Sequence, residues 1–259
     1  MKRINKSQLK LPIVAVVIGV TLAGLAAGAW FLRPQEIMEE ARVALEGNEN
    51  VKVEEREING VGGFLFSPKN ESPETGLIFY PGARVPVRAY APNALVIAEE
   101  GYEVFLVKMP LNLAVLGSGK AGEVISGKRD VEDWVVAGHS MGGAMAARFV
   151  ANAEPSPAGL VLWASYPPEG AEFDPGLSAL SITASRDGVI SSEKLDRAEV
   201  QLPPDTEFVE IEGGNHSQFG WYGFQSGDDQ ATIGREEQMM MVTEETADFL
   251  SSTAAGSRS

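Results

Sequence analysis

The amino-acid sequence predicts an α/β fold, a mostly parallel twisted sheet covered by helices on both faces, with an antiparallel N-terminal hairpin at one edge. Three observations predict it. From residue 77 onward, apolar runs alternate with helix-forming segments, which is typical of a parallel sheet. Two extended segments joined by a glycine turn precede them. A glycine-flanked serine, in Gly138-His139-Ser140-Met141-Gly142-Gly143, lies between a strand and a helix.

Each element follows from its local pattern. The hairpin comprises Val51 to Ile58 and Gly63 to Phe66. Apolar runs predict the other strands at Leu77 to Tyr80, Glu103 to Val107, Val135 to Ala137, Gly159 to Ala164, Ala179 to Ala184 and Glu207 to Ile211. Helices are predicted at Tyr90 to Glu100, Met141 to Ala153, Ser191 to Val200 and Arg235 to Leu250.

Composition excludes several functions. The chain of 259 residues contains no cysteine and two histidines, so disulfides, thiolate catalysis and cysteine zinc sites are ruled out. The formal net charge of −15 argues against nucleic acid as a partner, because its phosphates require a basic surface. No cofactor or metal is implied.

The N-terminus predicts a membrane anchor. Residues 1–10 carry four basic residues and no acid, and Leu11 to Leu32 contains no charge. As a helix this run would reach about 33 Å, enough for a bilayer core. The positive-inside rule places the later domain on the extracytoplasmic side. The alternative is that the apolar run is a signal peptide, which is cleaved near Ala29 and leaves a secreted protein.

The chain accordingly divides into four predicted parts. Residues 1–33 form the basic N-terminus and anchor, and residues 34–50 form a stalk or a short helix. Residues 51–250 form the α/β domain. Residues 251–259 form a polar, disordered tail.

The strand–serine–helix segment fits G-x-S-x-G, a sharp turn that exposes a nucleophilic serine, here Ser140. A serine hydroxyl needs a base, usually an oriented histidine. His139 is adjacent to Ser140, so its side chain points away from the hydroxyl. The remaining histidine, His216, lies in a glycine-rich loop after the last predicted strand and is the predicted base.

The carboxylate that orients His216 is predicted to be Asp187, in the loop after the strand ending at Ala184, because the order Ser, Asp, His suits this turn. Asp174 is the reserve candidate. The oxyanion would be held by two backbone N–H groups. They are those of Met141 and, in the loop after the Leu77 to Tyr80 strand, Ala83.

These motifs resemble the α/β-hydrolase superfamily over Val51 to Leu250, and the short, lidless chain is similar to the dienelactone-hydrolase-like branch. Two features depart from that pattern. Many relatives have His-Gly in the oxyanion loop, where this chain has Pro81-Gly82. The branch often uses a cysteine nucleophile, whereas this chain has serine, so dienelactone activity does not carry over.

The resemblance and the Ser140–His216–Asp187 set imply a carboxylesterase-like serine hydrolase, acting on a small-molecule ester or thioester through an acyl-enzyme. A peptidase, an amidase or an acyltransferase would use the same residues, and a non-catalytic binding module would keep only the fold. Three aromatic residues after His216 are expected either to line the substrate pocket or to pack the loop: Phe219, Trp221 and Tyr222.

Overall fold

The computed structural model describes residues 33–256, together with Thr21 and Gly28. Eight strands form one sheet in the order β1-β2-β4-β3-β5-β6-β7-β8. β1 and β2 form an antiparallel hairpin, β2 is antiparallel to β4, and the neighbouring strands from β4 to β8 are parallel. The predicted mostly parallel sheet with an antiparallel edge is therefore present.

The strands are β1 (Val51–Ile58), β2 (Val61–Pro68), β3 (Thr75–Tyr80), β4 (Glu103–Val107), β5 (Asp133–His139), β6 (Gly159–Trp163), β7 (Ser178–Ala184) and β8 (Glu207–Ile211). The helices are α1 (Glu39–Val43), α2 (Ala91–Glu99), α3 (Lys120–Gly127), α4 (Met141–Val150), α5 (Ser192–Glu199) and α6 (Arg235–Gly256). Short 3-10 turns join several of them, including His216–Phe219.

Successive side chains along each strand point to opposite faces of the sheet, so there are two hydrophobic cores, one on each face. In β5, for example, Val135 and Ala137 face the core under α2 and α6, whereas Val136 faces the core under α3 and α4. This is the two-residue side-chain period of a strand buried on both sides. The parallel strands all end at one edge, where the loops after β3, β5, β7 and β8 meet.

Residues 34–50, for which the sequence allowed a stalk or a short helix, contain the short helix α1. Ala41 and Ala44 are buried, and Ile37 forms a bridge with Tyr222. The backbone N–H of Gln35 donates to the carbonyl of Arg84 at 2.8 Å. From Gln35 onward, this segment belongs to the same compact unit as the sheet.

One expectation needs correction, and one helix was not predicted. The polar tail is helical as far as Gly256, because α6 continues through it and buries Thr253, whose hydroxyl donates to the carbonyl of Phe249 at 2.9 Å. Helix α3 was not predicted, since its sequence contains two glycines and its buried face consists of Ala121 and Val124.

The expected anchor and the alternative cleavage site near Ala29 lie outside the described residues, apart from Thr21 and Gly28. Within the part of the chain that is described, no helix has the length and apolar character needed to span a membrane.

Candidate active site

Ser140 lies at the sharp turn between β5 and α4, where it is half-buried and immediately precedes the first helical residue. Its φ of 53° and ψ of −124° are strained values for a residue with a side chain. Its N–H donates to the carbonyl of Trp163 at 3.0 Å, and its carbonyl accepts the hydroxyl of Ser165 at 2.7 Å. Both bonds tie the turn to the neighbouring strand β6 and the residues after it.

The glycines around Ser140 are required by close backbone approach. A Cβ on Gly138 would lie 2.5 Å from the carbonyl carbon of Gly142, and a Cβ on Gly142 would lie 2.2 Å from the carbonyl oxygen of Tyr80. Neither contact is sterically possible without moving the backbone. The two glycines of the G-x-S-x-G pattern are therefore needed for the turn itself, and the absence of a side chain at Gly142 also lets α4 pack against the end of β3.

His216 and Asp187, predicted from separate loops, are in direct contact. Nδ1 of His216 lies 2.7 Å from Oδ2 of Asp187, and both side chains are buried. The other carboxylate oxygen accepts the N–H groups of Val189 and Ile190 at 2.8 and 2.9 Å. Because the carboxylate can only accept, Nδ1 carries the proton, and Nε2 is left with a free lone pair.

Nε2 of His216 is buried and has no hydrogen-bond partner among the residues described. No hydrogen bond therefore joins it to Ser140 within that part of the structure. Catalytic hydrogen bonds are often long in an enzyme without substrate and shorten when substrate binds. The contact between Ser140 and His216 stays a prediction, while an unpaired buried imidazole nitrogen is what a base awaiting a proton requires.

The second oxyanion donor can be narrowed to one candidate. The N–H of Gly82 is already used, because it donates to the Tyr90 hydroxyl at 3.0 Å. The N–H of Arg84 donates to the carbonyl of Asn112 at 2.8 Å. Within the described chain, the N–H of Ala83 between them donates to no protein acceptor. Ala83 is half-buried, so its N–H is the free donor of this loop.

The first N–H groups of α4 provide the other expected donor. The first turn of a helix leaves its N–H groups without intrahelical acceptors, and the helix dipole favours negative charge there. Met141 is the first residue of α4 and directly follows Ser140. Its N–H therefore stays the predicted first oxyanion donor.

Asp228 is a buried carboxylate that sequence reasoning missed. Its Oδ2 accepts the N–H and the hydroxyl of Ser217 at 2.8 and 2.6 Å. Its Oδ1 accepts the N–H groups of His216 at 3.3 Å and Gly188 at 3.1 Å. A single side chain therefore joins the loop of the base to the loop of Asp187. No local pattern marks it, because these partners in the two site loops are 11 to 40 residues away in sequence.

The start of α6 holds the histidine loop from the other side. Arg235 donates to the carbonyls of Ser217, at 2.7 Å, and of Gly220. Gln238 is fully buried, accepts the N–H of Asn215 at 2.9 Å and donates to the carbonyl of the same residue at 2.8 Å. Burial lowers the pKa of the Arg235 guanidinium from its usual value. These contacts fasten the histidine loop to the start of α6.

His139 lies beneath the base rather than in solvent. It is buried, its ring is centred 4.5 Å from the ring of His216, and it stacks on Phe219 at 5.4 Å. Its Nδ1 is 2.8 Å from the hydroxyl of Tyr90. Burial, with the adjacent His216 as a second cause, lowers the pKa of His139 well below its usual value, so this imidazole is neutral.

The structure separates the two roles expected for the aromatic residues after His216. Phe219 and Tyr222 are fully buried, so they pack the loop onto the core and do not line an open pocket. Trp221 is half-buried, with its indole N–H 3.3 Å from the sulfur of Met239. It stays a candidate for substrate contact.

Asp174, the reserve candidate for the carboxylate that orients His216, is exposed and caps its own turn by accepting the N–H of Gly176 at 2.8 Å.

With this fold and this site, the chain belongs to the alpha/beta hydrolase family, whose profile matches residues 76–240, more than half of its length. That match covers β3 to the beginning of α6, and so includes Ser140, Asp187 and His216. No curated protein matches the sequence.

Several solved structures are similar in fold. A hyperthermophilic esterase from the archaeon Pyrobaculum calidifontis has a TM-score of 0.61 at 16% identity, covering 83% of this chain and 89% of its own. A dienelactone hydrolase from Anabaena variabilis has a TM-score of 0.58 at 12% identity, covering 78% and 97%. A thermophilic esterase from Thermogutta terrifontis has a TM-score of 0.53 at 15% identity, covering 77% and 91%. At these identities the likeness is one of fold.

Proposed function

We propose that this protein is a serine hydrolase that cleaves a carboxylic ester, or a thioester, through an acyl-enzyme on Ser140. The observation that carries the proposal is the state of His216. Its Nδ1 is bound to Asp187 at 2.7 Å, and its buried Nε2 has no partner among the described residues. An oriented imidazole with a free nitrogen, behind a strained serine turn, is the arrangement that acyl transfer requires.

In the acylation step, Oγ of Ser140 attacks the carbonyl carbon of the ester while Nε2 of His216 takes the hydroxyl proton. The electron pair of the carbonyl moves to its oxygen, where the N–H groups of Met141 and Ala83 stabilise the negative charge. The imidazolium is stabilised by Asp187. As the tetrahedral intermediate collapses, the bond to the leaving oxygen breaks, and Nε2 returns the proton to the departing alcohol.

In the deacylation step, a water molecule replaces the alcohol. Nε2 of His216 takes one proton from the water as its oxygen attacks the acyl carbon. The second tetrahedral intermediate collapses, the proton passes to Oγ of Ser140, and the carboxylic acid leaves. The same two N–H groups stabilise both intermediates, so the site needs no group beyond those already described.

Esters are favoured over amides by the comparisons. Proteins of similar fold that carry the name esterase include those from Pyrobaculum calidifontis and Thermogutta terrifontis. Hydrolysis of p-nitrophenyl esters measured against aminoacyl anilides separates an esterase from a peptidase or amidase. Faster cleavage of the anilides would overturn the ester assignment while leaving the roles of the residues intact.

The decisive experiment is labelling with a fluorophosphonate probe, which reacts only with an activated serine. We expect labelling of the wild type, none in Ser140→Ala and much less in His216→Ala. Ser178→Ala is the matched control, since this serine is exposed at the start of β7, and it should label like the wild type. A folded wild-type protein that does not label would refute the proposal and favour a non-catalytic module.

A further inference from the structure

An exposed apolar patch lies beside the candidate active site. Nine large apolar side chains are exposed in the described part of the chain, and three of them fall within six positions of one loop. These are Leu111, Val115 and Leu116, 59%, 49% and 53% exposed, and we call them the rim patch. Their loop follows β4 at the edge of the sheet where the active-site loops meet.

The loop that carries the rim patch is held in place rather than collapsed onto the core. Leu111 and Asn112 have φ values of 52° and 54°, which are unfavourable for residues with a Cβ. The carbonyl of Asn112 accepts the N–H of Arg84 at 2.8 Å, which ties the loop to the oxyanion loop. Further along, the carbonyl of Ser118 accepts the hydroxyl of Tyr80 at 2.8 Å. Backbone strain of this kind clusters at functional sites, which favours a function for the exposed apolar surface beside it.

The surroundings of the rim patch are basic, although the chain carries a net charge of −15. Residues 81–90 and 108–122 contain no carboxylate. They contain four basic residues: Arg84, Arg88, Lys108 and Lys120. Lys108 is paired with Glu55 of β1, and Arg88 is exposed. An apolar surface flanked by cations is suited to the interface of an anionic membrane.

We propose that the rim patch docks the domain onto an anionic lipid bilayer, with Leu111, Val115 and Leu116 inserted at the interface and the flanking cations facing lipid headgroups. The docking rests on the loop geometry and on the charge distribution. Its consequence for the substrate rests on the proposed function: the active site would take an ester that resides in the membrane.

The absence of cysteine from the chain allows a direct test with the full-length protein in lipid vesicles. A single cysteine at Leu116→Cys carries an environment-sensitive fluorophore. The matched control is Val200→Cys, which is 87% exposed after α5, at the opposite edge of the sheet, where β8 begins. We expect bilayer-embedded quenching lipids to quench the label at position 116 several-fold more than the label at position 200.

The contribution of charge is tested in vesicles of phosphatidylcholine with and without phosphatidylglycerol. Quenching at position 116 should be stronger with the anionic lipid, and the combination Arg88→Gln with Lys120→Gln should remove that difference. Equal quenching in both lipids would overturn the role of the cations. High salt should act like the double substitution, since it screens charges at the membrane surface.

Hydrolysis of a soluble p-nitrophenyl ester by the same labelled proteins keeps the two proposals distinguishable. Normal hydrolysis with a label at position 116 that is quenched only by aqueous iodide would overturn membrane docking and leave the enzyme assignment intact. Strong bilayer quenching without any hydrolysis would support docking and count against the proposed function.

Discussion

Asp187→Asn tests most directly how the buried imidazole is oriented. The N–H groups of Val189 and Ile190 donate to Oδ1 of Asp187 at 2.8 and 2.9 Å. An asparagine side chain has one oxygen and one NH₂ group, and only the oxygen can accept these two bonds. The NH₂ group must therefore point at Nδ1 of His216, which becomes an acceptor. The substitution moves the imidazole proton to Nε2 and removes the base.

We expect kcat to fall by about 10⁴-fold, the loss seen when the base of a serine hydrolase is held in the wrong tautomer. Stability should change far less, because both bonds to Oδ1 are kept. Weakening one charge-assisted hydrogen bond costs at most about 3 kcal/mol of the free energy of unfolding. The assay measures kcat for a soluble p-nitrophenyl ester and urea unfolding on the same preparation.

Asp174→Asn is the control, because Asp174 has the same chemistry, lies in the preceding loop and is exposed. It caps its own turn and leaves Asp187 and His216 untouched. We expect its kcat to match that of the wild type. The reasoning is refuted if Asp187→Asn retains more than about a tenth of the activity, since a tautomer change of the base costs far more.

Three other substitutions test the supports of the site. Asp228→Asn should lower the free energy of unfolding by about 2–4 kcal/mol in urea, because an amide cannot accept all the bonds of this carboxylate, and should lower kcat as well. His139→Asn should make the stability of the protein less dependent on pH in the acid range. Burial lowers the pKa of His139, so below about pH 6.5 only the unfolded chain binds this proton. The free energy of unfolding of the wild type should therefore fall by up to about 1.4 kcal/mol per pH unit, and the variant should lack this contribution. Gly142→Ala should destabilise the protein by more than about 3 kcal/mol, since its Cβ would overlap the carbonyl of Tyr80.

Each of these predictions has a matched comparison. For Asp228 it is Asp229→Asn, a neighbouring carboxylate on the same loop. The His139 effect is the difference in melting temperature between pH 7.5 and 5.5, and an equal difference in wild type and variant would contradict the role of this imidazole. For Gly142 the control is Gly119→Ala, where an added Cβ meets no atom within 4 Å, and equal stability of the two variants would contradict the steric argument.

The sequence predicted those parts of the structure that depend on local pattern. The buried strand β4 and the edge strand β8 were predicted with the observed bounds, because each is a short apolar run that stands out from the segments on either side. The turn at Ser140 was predicted because the glycines on both sides of the serine form a recognisable local pattern between a strand and a helix, although the backbone that requires Gly142 belongs to Tyr80, far away in sequence. The contact of Asp187 with His216 followed from the order of loops at one sheet edge.

The supports of the site depend on tertiary approach and leave no such pattern. Asp228 lies in a polar loop that contains nothing to distinguish it from a solvated aspartate, yet it is buried and bonded to two other loops. Helix α6 was predicted, but the contacts of Arg235 and Gln238 with the histidine loop depend on where that helix begins relative to β8. The sequence predicts where these elements lie along the chain, but it does not predict which of their side chains come into contact.

The buried contact between Tyr90 and His139 also shows how the loop after β3 is held in a chain that has Pro81-Gly82 where many relatives have His-Gly. The Tyr90 hydroxyl accepts the N–H of Gly82, so its own proton is free to go to Nδ1 of His139. Burial raises the pKa of Tyr90 and lowers that of His139, which keeps both groups neutral. A neutral bridge therefore fixes the oxyanion loop to the residue beneath the base, and it uses the Gly82 N–H for this purpose. In the proposed mechanism, the second oxyanion donor is then the N–H of Ala83, whatever residue precedes the glycine.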